Sequence, residues 1–264
     1  MASAAAAGTF DIADMTVNRL GFGAMRITGN GVWGDPPDRE AARAVLRRAV
    51  ELDVNLIDTA DSYGPHVSEE LIAEALYPYP DDLVIATKGG LERSGPGQWH
   101  RNGHPEHLRE ACEGSLKRLR LERIDLYQLH APDPNVPIAD SLGELNALQN
   151  EGKIRHIGVS NFDSEQLAQA RELSTIVSVQ NRYSFSDREQ EPVLEACERD
   201  GLGFLPWFPL AAGSIEDPRV ALAWLLQRSP VVLPIPGTSS LEHLEENVAA
   251  ASTELTDDDM AALG

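Results

Sequence analysis

Four side chains able to move or hold a proton stand at the ends of three consecutive apolar runs. Asp58 and Tyr63 lie in Asp58-Thr59-Ala60-Asp61-Ser62-Tyr63-Gly64, Lys88 opens Lys88-Gly89-Gly90, and His130 closes Gln128-Leu129-His130. A phenol titrates near about 10 and is a poor acid at neutral pH unless a neighbouring cation stabilises the phenolate. Lys88 would be that cation, and Asp58 the counter-charge that an ammonium in an apolar interior requires. His130 would hydrogen-bond the same substrate oxygen and stabilise charge developing on a carbonyl. Each also has a plain structural use: Asp58 as a helix cap, Lys88 as a snorkelling surface residue, Tyr63 as half-buried packing. Their joint placement is what points to carbonyl chemistry.

A second set of polar residues follows later runs: Ser160 and Asn161 in Gly158-Val-Ser160-Asn161-Phe162, Gln180 in Gln180-Asn181, and then Trp207. Ser, Asn and Gln can both donate to and accept from a carboxamide, and an indole is a flat stacking surface. Further on come Pro234-Ile-Pro236-Gly237-Thr238-Ser239-Ser240 and, on one helical face, His243, Glu246 and Asn247. Donors at a helix N-terminus suit a phosphate, although the same run is equally an ordinary loop ending in an N-cap serine. Gly21-Phe22-Gly23 lacks the third glycine of a dinucleotide-binding turn, which argues against a Rossmann site. The longest inter-element loop, 92–105, carries Arg93, Trp99, His100, Arg101 and His104. Trp99 would wall a substrate pocket and Arg101 would favour a phosphate or carboxylate, with a solvent-facing loop the alternative.

The elements that must position these groups alternate regularly. Apolar runs at 20–25, 55–59, 83–87, 124–129, 156–159, 176–179, 203–207 and 231–235 are separated by stretches of helical period, among them 40–52, 106–119, 141–151 and 220–228. Asp217-Pro218 reads as an N-cap followed by proline in the first turn, and Gly152 and Gly201 stand where left-handed C-caps belong. Eight strand–helix repeats without a linker predict one α/β domain over residues 1–264, a (β/α)8 barrel with its chemistry at the C-terminal ends of the strands. Residues 10–19, with Asp14 at the turn, predict a hairpin capping the barrel bottom, and 256–263 a short capped helix.

Composition excludes several classes. The 264-residue chain is 42% hydrophobic and 24% charged, and its 42 acidic against 22 basic residues give a net charge of −20, which repels nucleic acid and anionic membrane surfaces. Only two cysteines, Cys112 and Cys197, are present, without metal-ligand spacing, so neither a disulfide framework nor a metal centre is expected. With no signal peptide or apolar span in the sequence, a cytoplasmic location is expected.

The stretches Asn55-Leu-Ile-Asp58-Thr-Ala-Asp-Ser-Tyr63-Gly, Ala-Thr-Lys88-Gly and Asp125-Leu-Tyr-Gln-Leu-His130 resemble the aldo-keto reductases, over about residues 18–247. The resemblance implies an Asp58/Tyr63/Lys88/His130 tetrad in which Tyr63 is the general acid, Lys88 and Asp58 tune it, and His130 positions a small carbonyl substrate. It also implies that a nicotinamide cofactor supplies hydride and is held by Gly23, Ala24, Met25, Arg26, Ser160, Asn161, Gln180, Trp207, Pro209, Leu210, Pro236, Gly237, Thr238, Ser239, His243, Glu246 and Asn247. Where many members place Lys and Arg against the 2′-phosphate of NADPH, this chain has Gly237 and His243, and the loop 211–216 is short. Similar branches carrying Gly-Thr-Ser-Ser use NADP, so NADPH is expected, with NADH the alternative. The runs Val17-Asn-Arg-Leu-Gly-Phe-Gly-Ala-Met, Glu74-Ala-Leu-Tyr-Pro-Tyr and Ala223-Trp-Leu-Leu-Gln-Arg-Ser-Pro look most like the bacterial pyridoxal reductase (pyridoxine 4-dehydrogenase-type) branch, implying an aromatic aldehyde. Two rival readings are a redox-sensing subunit resembling potassium-channel beta subunits, and Schiff-base chemistry at Lys88, which Asp58 would oppose by keeping the amine charged.

Overall fold

The computed structural model describes residues 2–210 and 217–263. The expected short loop at 211–216 therefore lies outside the described residues. The chain opens with a hairpin of β1 (Thr9–Ile12) and β2 (Met15–Asn18), turning at Ala13-Asp14, and then enters the barrel at β3 (Phe22–Gly23). Next come α1 (Arg39–Glu51), β4 (Leu56–Asp58), α2 (Val67–Leu76) and β5 (Val84–Gly89). The predicted loop at 92–105 is instead largely a second hairpin, β6 (Leu91–Gly95) and β7 (Gln98–Arg101), antiparallel and turned at Pro96-Gly97 with Gly97 at φ +69°. The alternation that signals a strand is hidden there because its residues are mostly solvent-exposed, so no apolar face marks it.

The remaining repeats are α3 (Pro105–Leu119), β8 (Ile124–Leu129), α4 (Ile138–Asn150), β9 (Ile154–Ser160), α5 (Ser164–Leu173), β10 (Ile176–Gln180), α6 (Glu191–Asp200) and β11 (Gly203–Phe204). They are followed by α7 (Pro218–Arg228), α8 (Leu241–Ala249) and α9 (Asp257–Ala262). The expected caps are in place. Asp217 accepts from the Arg219 N–H at the start of α7, Thr256 and Asp259 form a capping box at α9, and Gly152 and Gly201 both take positive φ. Helix α4 begins three residues earlier than its periodicity indicates, directly after Pro137.

All barrel strands are parallel, in the order β11-β10-β9-β8-β5-β4-β3. The run at 231–235 is not a full ladder strand: it makes one bridge, between Phe204 and Val232. It closes the barrel nonetheless. On one side Phe204 N–H donates to Val231 O and Leu233 N–H to Phe204 O; on the other, Gly21 N–H donates to Pro234 O and Gly23 N–H to Pro236 O. Pro234 and Pro236 have no N–H to return, so the β3 side of this strand accepts without donating at either position.

Inside the barrel, Leu56, Val84, Ala86, Leu126, Leu205 and Leu233 pack against Ile12, Met15 and Val17 of the hairpin, which plugs the N-terminal end. Side chains alternate along a strand, so the next inward positions are Asp58 on β4, Lys88 on β5 and Gln128 on β8. A register shift between Ile176 and Ser178 re-aims β10, leaving Val179 in the outer core and Gln180 inward. The apolar plug thus fills one end, and the polar residues meet at the other. Among the described residues no helix is long and apolar enough to cross a membrane, and no His/Cys/Asp/Glu group is arranged to hold a metal.

Candidate active site

Lys88 is fully buried, and its ammonium is saturated from three sides: Asp58 Oδ1 at 2.6 Å, Thr59 O at 2.7 Å and Tyr63 Oη at 3.4 Å. An ammonium has three N–H donors and all three are engaged. The other carboxylate oxygen of Asp58 accepts from Gln180 Nε2 at 2.8 Å and Gln128 Nε2 at 3.1 Å. Burial opposes the charge on Lys88, but Asp58 and Tyr63 outweigh it and hold the amine above its ordinary range. Lys88 is therefore a cation, and Schiff-base chemistry, which needs a free neutral amine, is disfavoured.

Tyr63 departs from expectation in one respect. Burial pushes its phenol above the ordinary value of 10, and the pull of Lys88 in the other direction does not overcome this. The phenol accordingly keeps its proton throughout the neutral range, with the Lys88 ammonium 3.4 Å from its oxygen. His130 stands edge-on to Tyr63, with ring centroids 5.9 Å apart. Burial, aided by Lys88, drives the imidazole well below its usual pKa, so it is neutral and able to donate one hydrogen bond.

These groups open onto a cavity of about 720 Å³. Asp58, Tyr63 and His130 line it, with Lys88 directly beneath; so do Gly23, Met25, Arg26, Ser160, Asn161, Gln180, Trp207, Pro209, Leu210, Pro236, Gly237 and Trp99. Asn161 adopts φ +61°, a conformation asparagine tolerates better than most residues, and this turns its amide inward to His130 O at 2.9 Å and Trp207 Nε1 at 3.2 Å. Gly23 and Gly237 permit a close backbone crossing: a Cβ on Gly237 would lie 2.5 Å from Gly23 O.

Other predicted contacts sit elsewhere. Ala24 is buried core, and its carbonyl accepts from Ser68 Oγ. Thr238 accepts from Ser240 N–H, Ser240 caps α8 through the His243 N–H, and Asn247 is buried on that helix. Ser239, His243 and Glu246 are exposed, with Glu246 on an open groove beside Arg219. Arg101 does not line the cavity either; it is solvent-exposed, and Leu91, its partner in the hairpin ladder, supplies that part of the wall. Leu91, Phe208 and Ile235 line the cavity without having been expected; Gln128, fully buried and also not expected, grips Asp58 without lining the cavity. Strand alternation from Leu126 would have found Gln128; Phe208, at φ +63°, left no comparable signal.

The model of the aldo/keto reductase family matches residues 19–219 and 217–264. The chain belongs to the aldo/keto reductase family. It is 50% identical to an uncharacterised oxidoreductase of Schizosaccharomyces pombe, over 98% of this chain and 90% of the relative. It is 42% identical to the pyridoxine 4-dehydrogenase of Escherichia coli, over 97% and 96%. Among solved structures, this aldo/keto reductase superposes on the glycerol dehydrogenase of Gluconobacter oxydans with a TM-score of 0.88 at 28% identity, covering 97% and 94% of the two chains. It superposes on an aldo-keto reductase of Klebsiella pneumoniae in complex with NADPH with a TM-score of 0.79 at 28% identity, over 94% and 90%. The protein is an NAD(P)H-dependent oxidoreductase built on the (β/α)8 barrel that its strand repeat predicted.

Proposed function

We propose that this aldo/keto reductase reduces aldehydes to alcohols with NADPH, Tyr63 acting as general acid, and that flat aromatic aldehydes of the pyridoxal type are its preferred substrates. The observation that carries the reading is the convergence of a protonated phenol, a neutral imidazole and a buried Lys88–Asp58 pair on one cavity. When bound, NADPH supplies the hydride that reaches the carbonyl carbon. Tyr63 hydrogen-bonds the carbonyl oxygen and gives up its proton as negative charge builds there. Lys88, 3.4 Å from Tyr63 Oη, stabilises the phenolate left behind. Asp58 keeps Lys88 charged and in place, and Gln128 and Gln180 keep Asp58 oriented. His130 donates to the same substrate oxygen and fixes its direction.

The residues present fit the cofactor. Trp207 offers a flat face, and Ser160, Asn161 and Gln180 surround it with both donors and acceptors, the chemistry a nicotinamide ring and its carboxamide require. Ser239 and His243 at the start of α8 would meet the phosphate end. Support for NADPH comes from the Klebsiella pneumoniae neighbour solved with it. The preference for aromatic aldehydes is supported by the aromatic walls Trp99, Trp207 and Phe208 and by the pyridoxine 4-dehydrogenase relative. Two free, buried cysteines suit action in the cytoplasm. The test is oxidation of NADPH and NADH, followed at the nicotinamide absorbance, against pyridoxal, 4-nitrobenzaldehyde, propanal and simple ketones. Turnover of the aromatic aldehydes with NADPH is expected, and no turnover of any carbonyl would overturn the reading.

A further inference from the structure

Arg93 on β6 uses every donor it has. Its Nε–H goes to Gln98 O at 3.0 Å, Nη1 to Val32 O at 2.7 Å and Ser62 O at 3.0 Å, and Nη2 to Gly31 O at 2.8 Å and Gly95 O at 3.3 Å. A guanidinium has five N–H groups in a fixed plane, and five backbone carbonyls from three separate chain segments take them. Its face lies 3.6 Å from the Trp99 ring centroid, with Trp33 at 5.8 Å. Burial lowers its pKa, and among the described residues no carboxylate pairs with it. A half-buried cation arranged in this way does the work of a bolt. It ties the β6–β7 hairpin to the loop at 29–34 and to Ser62, the residue before Tyr63.

The consequence falls on Trp99. Its ring stands edge-on to both Tyr63, at 6.3 Å between centroids, and His130, at 6.4 Å, yet Trp99 is itself 36% exposed. An indole on an exposed hairpin has little else to hold it over those two rings. We propose that Arg93 is a positioning residue that sets substrate choice: by stacking on Trp99 and anchoring the hairpin to the Tyr63 loop, it fixes the wall against which a flat aromatic aldehyde lies, without touching the reacting atoms. The proposal rests on the reductase reading for its substrate and on geometry alone for the clamp. Lysine at this position would keep the charge but neither span five carbonyls nor stack as a plane.

Three measurements test it, on Arg93→Met and Arg93→Lys with thermal melts to confirm folding. Steady-state kinetics with NADPH should show KM for 4-nitrobenzaldehyde rising by roughly tenfold or more in both variants, with kcat/KM for propanal within about threefold of wild type, because a misplaced wall costs most where the substrate needs it. In Trp99→Ala, the same Arg93 substitutions should add little, because both residues act through one contact. Hydrogen–deuterium exchange should quicken at 29–34, 62–64 and 91–101 in Arg93→Met and stay unchanged elsewhere. Equal losses on both aldehydes, rescue of selectivity by Arg93→Lys, or additive effects in the Trp99→Ala background would overturn the specificity role. Unchanged exchange would overturn the clamp. A wild-type enzyme inert toward both aldehydes would instead sink the reductase reading and the selectivity claim with it, while the exchange experiment, which needs no turnover, still decides the clamp.

Discussion

The floor of the cavity and its rim hold polar groups by different means. At the floor, both oxygens of Asp58 and all three donors of Lys88 are taken up by neighbours on β4, β5, β8 and β10 and on the loop that follows β4, with almost no exposure to solvent. At the rim, Ser239, His243 and Glu246 face water, and the hydrogen bonds of the segment at 238–243 run within the segment itself. The floor is over-determined, so one altered atom disturbs the whole arrangement. The rim is under-determined, so charges can be exchanged there at small cost. Chemistry is expected to be concentrated at the first and cofactor preference to be adjustable at the second.

The largest effect should come from the proton donor. Tyr63→Phe removes one oxygen and is expected to lower kcat for aldehyde reduction by about 10²–10⁴-fold, the range for loss of a general acid, while NADPH affinity measured by fluorescence titration stays within about twofold. Near wild-type turnover would show that the floor is not the reaction centre. Next is the ion pair. Asp58→Asn leaves the Lys88 ammonium buried without its counter-charge and should cost about 3–5 kcal/mol of stability in denaturant unfolding. The double variant Asp58→Asn/Lys88→Met should recover part of that loss, and a double variant no more stable than the single would show that the pair itself is not the source.

A third effect concerns pH. Burial, with the neighbouring Glu69 carboxylate, pushes Asp61 up to about 8, and one of its oxygens is buried without a partner. In the unfolded chain the same carboxyl titrates near about 3.9. Between those values the folded protein binds more protons than the unfolded one, so this group makes stability fall as pH rises. The fall should run from about pH 4 to about pH 8 and then level off. Asp61→Asn should therefore lose less Tm than wild type between pH 5.5 and pH 8.5, read by differential scanning calorimetry, and parallel curves for the two proteins would refute the assignment. At the rim, His243→Arg adds a cation to an exposed first turn. Favouring the NADPH/NADH affinity ratio by about 0.2–1 kcal/mol, or up to about fivefold, is expected, and the gain should fade as salt is raised. A change as large as that of a floor variant would erase the contrast between the two regions.

How much of this could be read beforehand varies by residue. The four proton-handling side chains are legible because each stands at the end of an apolar run or, like Tyr63, in the loop just after one, and in a parallel barrel all strand C-termini lie at one end. Gln128 obeyed the same alternation and was there to be found. The β6–β7 hairpin was not, since exposed strands carry no apolar period, and the role of Arg93 was invisible because its partners are backbone carbonyls, which no sequence distinguishes.

By itself the order of residue types determined the repeat and the end of the barrel at which Asp58, Tyr63, Lys88 and His130 gather. These depend on local periodicity and on strand direction, both written in neighbouring residues. Only the tertiary structure decided that the phenol of Tyr63 is held above its ordinary pKa, that His130 is neutral and that Trp99 reaches the centre while Arg101 does not. Those outcomes turn on burial and on distances between segments far apart in the chain. Desolvation and Coulomb interactions act through space, and space is set by how the strands and hairpins pack.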